Sequence, residues 1–232
     1  MAVVKACKIL IAGANWGLGL EMIKQLSENS CPKQHSFATL KKGRYYNVPS
    51  LMFVLLLSDS DDPSSVKESA KKVGSLLGNN GLNLLMNNTS SVEDMKNTNT
   101  NVIGPLLITR VMRQMAAKTS GIPGISSNKA AVINISTVAG SMTRMLVQPI
   151  PNIAIWSEQG FNMLTVLAAE GFKADEILCM ALHPEWVKTE LGGDEATLEP
   201  KESVEGMLRV IGSLTKKQQG GFMDYTGETV TW

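Results

Sequence analysis

The sequence predicts a doubly wound α/β fold, a mostly parallel seven-stranded sheet with helices on both faces, and two observations carry that expectation. Short apolar runs alternate with stretches of helical periodicity from end to end, the pattern of buried strands joined by covering helices. The runs are continuous rather than alternating, as strands buried on both faces should be. A length of 232 residues suits one domain spanning 1–232.

Strands are expected near 7–12 (CKILIA), 35–40, 51–57 (LMFVLLL), 82–86 (LNLLM), 130–136 (AAVINIS), 176–182 (EILCMAL) and 228–231. Helices are expected near 17–28, 63–78, 94–118, 153–172 and 201–217. One connection is short. Only Lys41 to Ser50 separates the second and third strands, whereas parallel neighbours need a crossover of about a dozen residues or more. Either that crossover lacks a helix or the third strand starts late.

Composition excludes several function classes. The hydrophobic content of 44% is ordinary for a globular chain, and the 22 basic residues nearly balance the 21 acidic ones. With a net charge of +1 and no block of like charge, neither nucleic acid nor an anionic membrane is favoured as a partner. No apolar run approaches the ~20 residues of a membrane helix. The three cysteines, Cys7, Cys31 and Cys179, are far apart with no C-x-x-C pair, which fits reduced thiols used as buried filler. The chain runs straight from Met1 into its first strand, leaving no room for a signal peptide, so a cytoplasmic location is expected. No metal-ligand pattern stands out.

The segment after the first strand carries more chemistry. Gly13, Ala14, Asn15, Trp16, Gly17, Leu18 and Gly19 follow a strand and open a helix. Glycines at this spacing permit a tight turn, close approach of backbone to a pyrophosphate, and a helix N-terminus facing the anion, which is the Rossmann-type arrangement. At the tip of the second strand stand Lys41, Lys42 and Arg44, with no carboxylate. Basic residues there accommodate the 2′-phosphate of NADP(H), while a solvated basic turn is the competing reading.

Further along come Asn87-Asn88, Asn101, Ile133-Asn134-Ile135-Ser136-Thr137 and the run from His183 through Pro184, Glu185, Trp186, Val187 and Lys188 to Thr189, closed by Gly220 to Tyr225. In that order, after the glycine loop, these motifs resemble the short-chain dehydrogenase/reductase family over nearly the whole chain. The closing segment is similar to its sniffer-type carbonyl reductase and C-factor branch. The resemblance implies an NADP(H)-dependent oxidoreductase acting on a small carbonyl compound, with Gly13, Asn15, Trp16, Gly17, Leu18, Gly19, Lys41, Asn87 and Thr189 around the cofactor. It assigns Asn101 to the proton relay and Thr137, with Ser136 beside it, to the hydroxyl that holds the substrate.

The same resemblance exposes what is missing. Aligned through Ser157 and Asn162, the helix carries Ala154 where the family has its tyrosine acid and Glu158 where it has the lysine that stabilises the phenolate and holds the nicotinamide ribose. A free phenol has a pKa of about 10, so it depends on that cation. The remaining tyrosines, Tyr45, Tyr46 and Tyr225, lie far off in sequence, and no lysine falls between Lys129 and Lys173. Ser157 and His183 are the remaining polar neighbours by sequence, and structural roles are commoner for such residues than replacement of the acid. The small residues after the fourth strand have become Thr89 and Ser90, and Glu185 stands where the family has glycine. Ser58, or Asp59 after a one-residue shift, matches the adenine-side acid. The stretch from Asn88 to Asn101 is shorter than in this branch. Apolar residues of helical spacing, Val102, Ile103, Leu106, Leu107, Val111, Met112 and Met115, serve either the core or a homodimer contact, and the same holds for Met163, Leu164, Val166 and Leu167.

Two expectations follow. One is a protein that keeps its NADP(H)-binding features while lacking the means to reduce a carbonyl. The other is an active NADPH-dependent reductase with a non-standard proton donor.

Overall fold

The computed structural model describes residues 4–28, 35–40, 53–57, 62–90, 98–116, 124–145 and 153–232. Period-two side-chain alternation within continuous apolar strands supplies both faces of a sheet at once. In β1 (Lys8–Ala12), Ile9 and Ile11 join a cluster with Met22, Ile23, Met207 and Ile211, while Leu10 and Ala12 join a second cluster with Val66, Val73 and Phe172. The first cluster brings in α1 (Gly17–Glu28) and α6 (Pro200–Ser213), and the second brings in α2 (Pro63–Leu77), α3 (Gly104–Ala116) and α5 (Ile153–Gly171). Helices therefore cover both faces.

The remaining strands are β2 (His35–Leu40), β3 (Phe53–Leu57), β4 (Leu84–Asn87), β5 (Ala131–Ile135), β6 (Leu178–His183) and β7 (Phe222–Asp224). Their order is β3-β2-β1-β4-β5-β6-β7, and all six pairings are parallel. The order reverses between β1 and β4. In open α/β sheets the crevice beyond the carboxyl ends of the strands at such a point is the binding position.

Several elements differ from expectation. The third strand is described over Phe53–Leu57, paired parallel with β2 from Ser36 onward, and the connection, with both readings of its shortness, lies outside the described residues. The last strand is not at 228–231. Phe222 is fully buried and pairs with Ala181, after which the Asp224 carboxylate accepts the N–H groups of Thr226, Gly227 and Glu228 and turns the chain back. The tail then returns antiparallel through Thr229, and Trp232 stacks on Phe222 with ring centroids 5.2 Å apart. Two apolar segments lay near the C-terminus, and the turn between them decided which one the sheet received.

The helix expected over 94–118 opens, in its described part, as a π-helical turn at Asn99–Ile103 before α3. A 3-10 turn at Val138–Gly140 and the short α4 (Met142–Met145) follow β5 without sequence warning. Helix α6 stops at Ser213, because Thr215 caps a separate 3-10 turn through a capping box with Gln218. Among the described residues no helix is long and apolar enough to cross a membrane, and no group of acidic, histidine and cysteine residues could hold a metal ion.

Candidate functional site

At the carboxyl end of β1 the glycine loop is held by backbone contacts. Gly13 lies at φ +76° and Gly17 at φ +52°, left-handed values that cost other residues strain. A Cβ on Gly19 would stand 2.2 Å from the Gly13 carbonyl oxygen, so only glycine lets α1 start this close to the strand. Thr39, at the end of β2, accepts from the Gly13 amide through Oγ1 at 3.3 Å and from the Ala14 amide through its carbonyl at 3.1 Å. Asn88 donates to the Gly13 carbonyl at 3.0 Å. Asn15 is buried, Leu18 packs on the α1–α6 side of the core, and the Thr189 methyl lies beside Gly17. The Thr189 hydroxyl caps its own loop by accepting from the Gly192 amide at 3.1 Å. Lys41, Lys42, Arg44, Ser58 and Asp59 lie outside the described residues.

Asn87 has its side chain in the core. Its amide donates to Thr109 Oγ1 at 3.1 Å and to Asn134 Oδ1 at 2.8 Å, and Asn134 in turn donates to Thr165 Oγ1 at 2.8 Å. This buried ladder joins β4 and β5 to α3 and α5, which sets the position of the helix carrying Glu158. The adjoining ladder runs from Ser136 Oγ to Asn162 Oδ1 at 2.6 Å, and from Asn162 Nδ2 to the Gly140 carbonyl at 2.9 Å. Ser136 is thereby engaged by α5. Thr137 is half-buried, and its Oγ1 accepts from the Ala139 amide at 3.2 Å at the start of the 3-10 turn.

The π-helical turn buries Asn101 and aims its amide at α5, where it donates to Ser157 Oγ at 2.9 Å and to Glu158 Oε1 at 3.4 Å. Extra residues in a helical turn re-aim side chains in this way and recur at functional sites. Burial pushes the Glu158 carboxyl up to about 7, with a hydrogen bond from Ser90 acting in the opposite direction. No residue of α5 is a tyrosine or a lysine. The sequence offers Ser157 as an alignment anchor and a replacement acid, and gives no sign of the Ser90 contact. Ser90, Asn101 and Glu158 are brought together from three separate segments, a juxtaposition that no local period announces.

At the end of β6, His183 is buried with Nε2 3.8 Å from Glu185 Oε1, and burial holds its imidazole below the ordinary range against the pull of that carboxylate. Glu185 itself sits at φ +73°, a left-handed conformation in a residue with a Cβ. The structure thus brings Asn101, Ser157 and Glu158 into contact, seats the turn of Thr137 against α5, and sets the glycine loop at the same end of the sheet.

No family model matches the chain. It is similar to the C-signal protein of Myxococcus xanthus, 36% identical over 149 residues, covering 60% of this chain and 79% of that one. Among solved structures, an NADPH-bound carbonyl reductase from chicken fatty liver superposes with a TM-score of 0.90 at 33% identity, over 98% of this chain and 99% of the other. The carbonyl reductase Sniffer of D. melanogaster gives 0.89 at 25% identity, over 98% and 100%. With the seven-stranded parallel order, the glycine loop at its switch point and these relatives, the chain belongs to the short-chain dehydrogenase/reductase family, in the company of the sniffer-type carbonyl reductases.

Proposed function

We propose that this protein binds NADP(H) in the glycine-loop crevice but does not reduce carbonyl compounds efficiently, acting by binding rather than by turnover. The observation that carries the reading is Glu158, a half-buried carboxyl hydrogen-bonded to Asn101 on a helix without tyrosine or lysine. By the resemblance, Glu158 takes the lysine's place and Ala154 the tyrosine's.

The loop side fits the cofactor. Gly13, Gly17 and Gly19 keep the backbone clear at the N-terminus of α1, where helix-terminal amides suit a pyrophosphate. Trp16, Leu18, Asn15 and Thr189 would border the dinucleotide, and Lys41 would meet its 2′-phosphate. When bound, the cofactor supplies hydride. Proton supply falls to the protein, and here the residues fall short.

A carboxylate at Glu158 disfavours any nearby phenolate, and α5 carries no lysine for Asn101 to orient. Ser157 already accepts from Asn101, and His183 is held neutral by burial, so neither is poised as an acid. Thr137 keeps a hydroxyl on the substrate side, which leaves a small carbonyl compound as a ligand without a proton donor. A cytoplasmic location and a homodimer formed through the exposed Trp156, Met163 and Leu167 of α5 belong to the same reading.

Thermal denaturation with NADPH tests binding. At about 100 times its dissociation constant a ligand stabilises the native state by about 2.7 kcal/mol, and no shift at millimolar NADPH would remove the cofactor from this reading. NADPH oxidation with a reactive dicarbonyl or quinone tests turnover. The wild type is expected to match an Asn101→Ala/Thr137→Ala control, and the pair Ala154→Tyr with Glu158→Lys to exceed it by ~10²-fold or more, the usual worth of general acid catalysis. Wild-type turnover well above the control would overturn the claim of impaired catalysis.

A further inference from the structure

Glu158, its carboxyl pushed by burial up to about 7, touches the relay asparagine of the crevice. A continuous set of contacts links it to the glycine loop. A Cβ at Gly13 would meet the Asn88 carbonyl at 2.8 Å and the Thr89 methyl at 3.1 Å, Thr89 Oγ1 donates to the Thr100 carbonyl at 3.4 Å, and the next residue, Asn101, donates to Glu158. Ser90, on the same loop as Thr89, bonds Glu158 directly. On the other side the 3-10 turn closes the cluster, since a Cβ at Gly140 would lie 3.0 Å from Glu158 Cβ.

We propose that dinucleotide binding in this crevice is coupled to protonation of Glu158, so that the site fills as a proton is taken up and empties as pH rises. This rests on the dinucleotide reading above. Among the described residues, the groups facing Glu158 are Ser90 from the loop after β4, Asn101 from the π-helical turn, Gly140 from the 3-10 turn, and Ser157 and Asn162 of its own helix, none of them charged. The charged and titratable groups at this end of the sheet, His183, Glu185, Asp224 and Arg144, act on one another around the end of β6. No described cation therefore compensates the carboxylate. An anionic ligand adds negative charge beside it and covers what solvent it still has, and both changes favour the neutral acid. A ligand that binds the protonated form better must raise that form's population by the same factor, as linkage requires.

The test is fluorescence titration of the full-length chain with NADPH at pH 6 and pH 8, in the wild type and in Glu158→Gln, a neutral side chain of the same shape. Circular dichroism at both pH values confirms that each protein is folded. The wild-type dissociation constant is expected to rise about tenfold more than that of the variant across this interval, one bound proton setting the slope. The NADPH 2′-phosphate also titrates near pH 6, but it is common to both proteins and cancels in the difference. Equal pH dependence in the two proteins, flat or sloped, overturns the coupling while leaving cofactor binding intact. Absence of binding by either protein at any pH overturns the dinucleotide reading together with it. Calorimetry of the wild type at pH 8 in two buffers of different ionisation enthalpy gives an independent check, with net proton uptake expected and none or a release counting against the coupling.

Discussion

The two halves of the crevice are built by different means. On the glycine-loop side the loop's own features are backbone ones: left-handed φ at Gly13 and Gly17, the absence of a Cβ at Gly19, and backbone groups of Gly13 and Ala14 tied to Thr39 and Asn88. On the α5 side the features are side-chain functional groups, Asn101, Ser157 and Glu158, held by buried amide ladders that would position almost any residue at 158. A change in the first half collides with the fold itself. A change in the second half alters charge and proton supply while the ladders Asn87–Asn134–Thr165 and Ser136–Asn162–Gly140 keep the helix in place. Chemistry can therefore be lost from a site whose architecture persists.

The sharpest way to break this contrast is Gly19→Ala. Its Cβ would fall 2.2 Å from a backbone oxygen that cannot rotate away, so α1 must shift, at a cost of roughly 3 kcal/mol in urea denaturation. A neutral result would mean that the loop is as tolerant as the α5 side.

A comparable effect, of opposite meaning, is expected from pH. The folded-state pKa of Glu158, about 7, lies above its ordinary 4.5, so the native chain holds the extra proton and is penalised as that proton leaves. Stability should fall as pH rises from about 4.5 to 7, by up to about 3 kcal/mol at 1.36 kcal/mol per unit. Glu158→Gln should remove that share of the pH dependence, matching the wild type near pH 4 and exceeding it near pH 8. Urea unfolding at the two pH values checks this, and identical profiles would show that the carboxyl is better solvated than its surroundings imply.

The smallest effect concerns Glu185. Glycine in its left-handed conformation should relieve strain, and after the unfolded-state entropy of glycine is subtracted the gain is about 0.5–1 kcal/mol. A melting temperature unchanged or lowered by Glu185→Gly would mean that its carboxylate near His183 Nε2 contributes more than the backbone loses.

Much of the frame was legible because it depends on local composition. Continuous apolar runs marked six strands within a residue or two, and glycine spacing marked the turn into α1, since each signal lies within one short segment. The seventh strand was misplaced because both 222–224 and 228–231 can pair. Only the Asp224 turn and the stacking of Trp232 on Phe222 decide between them. Likewise the divided start of α3 depends on packing: a π-helical turn pairs an asparagine with a helix 56 positions further along, which no window of sequence registers.

The sequence by itself determined the alternation of strands and helices, the glycine loop, and the absence of tyrosine and lysine from α5, because each is a matter of residue identity or short-range spacing. Tertiary structure alone decided that Ser136 faces Asn162, that Asn87 serves a buried ladder, and that Ser90 and Asn101 converge on Glu158. The charge of a carboxyl is set by how much water and which dipoles surround it, and those surroundings exist only once separated segments have packed together.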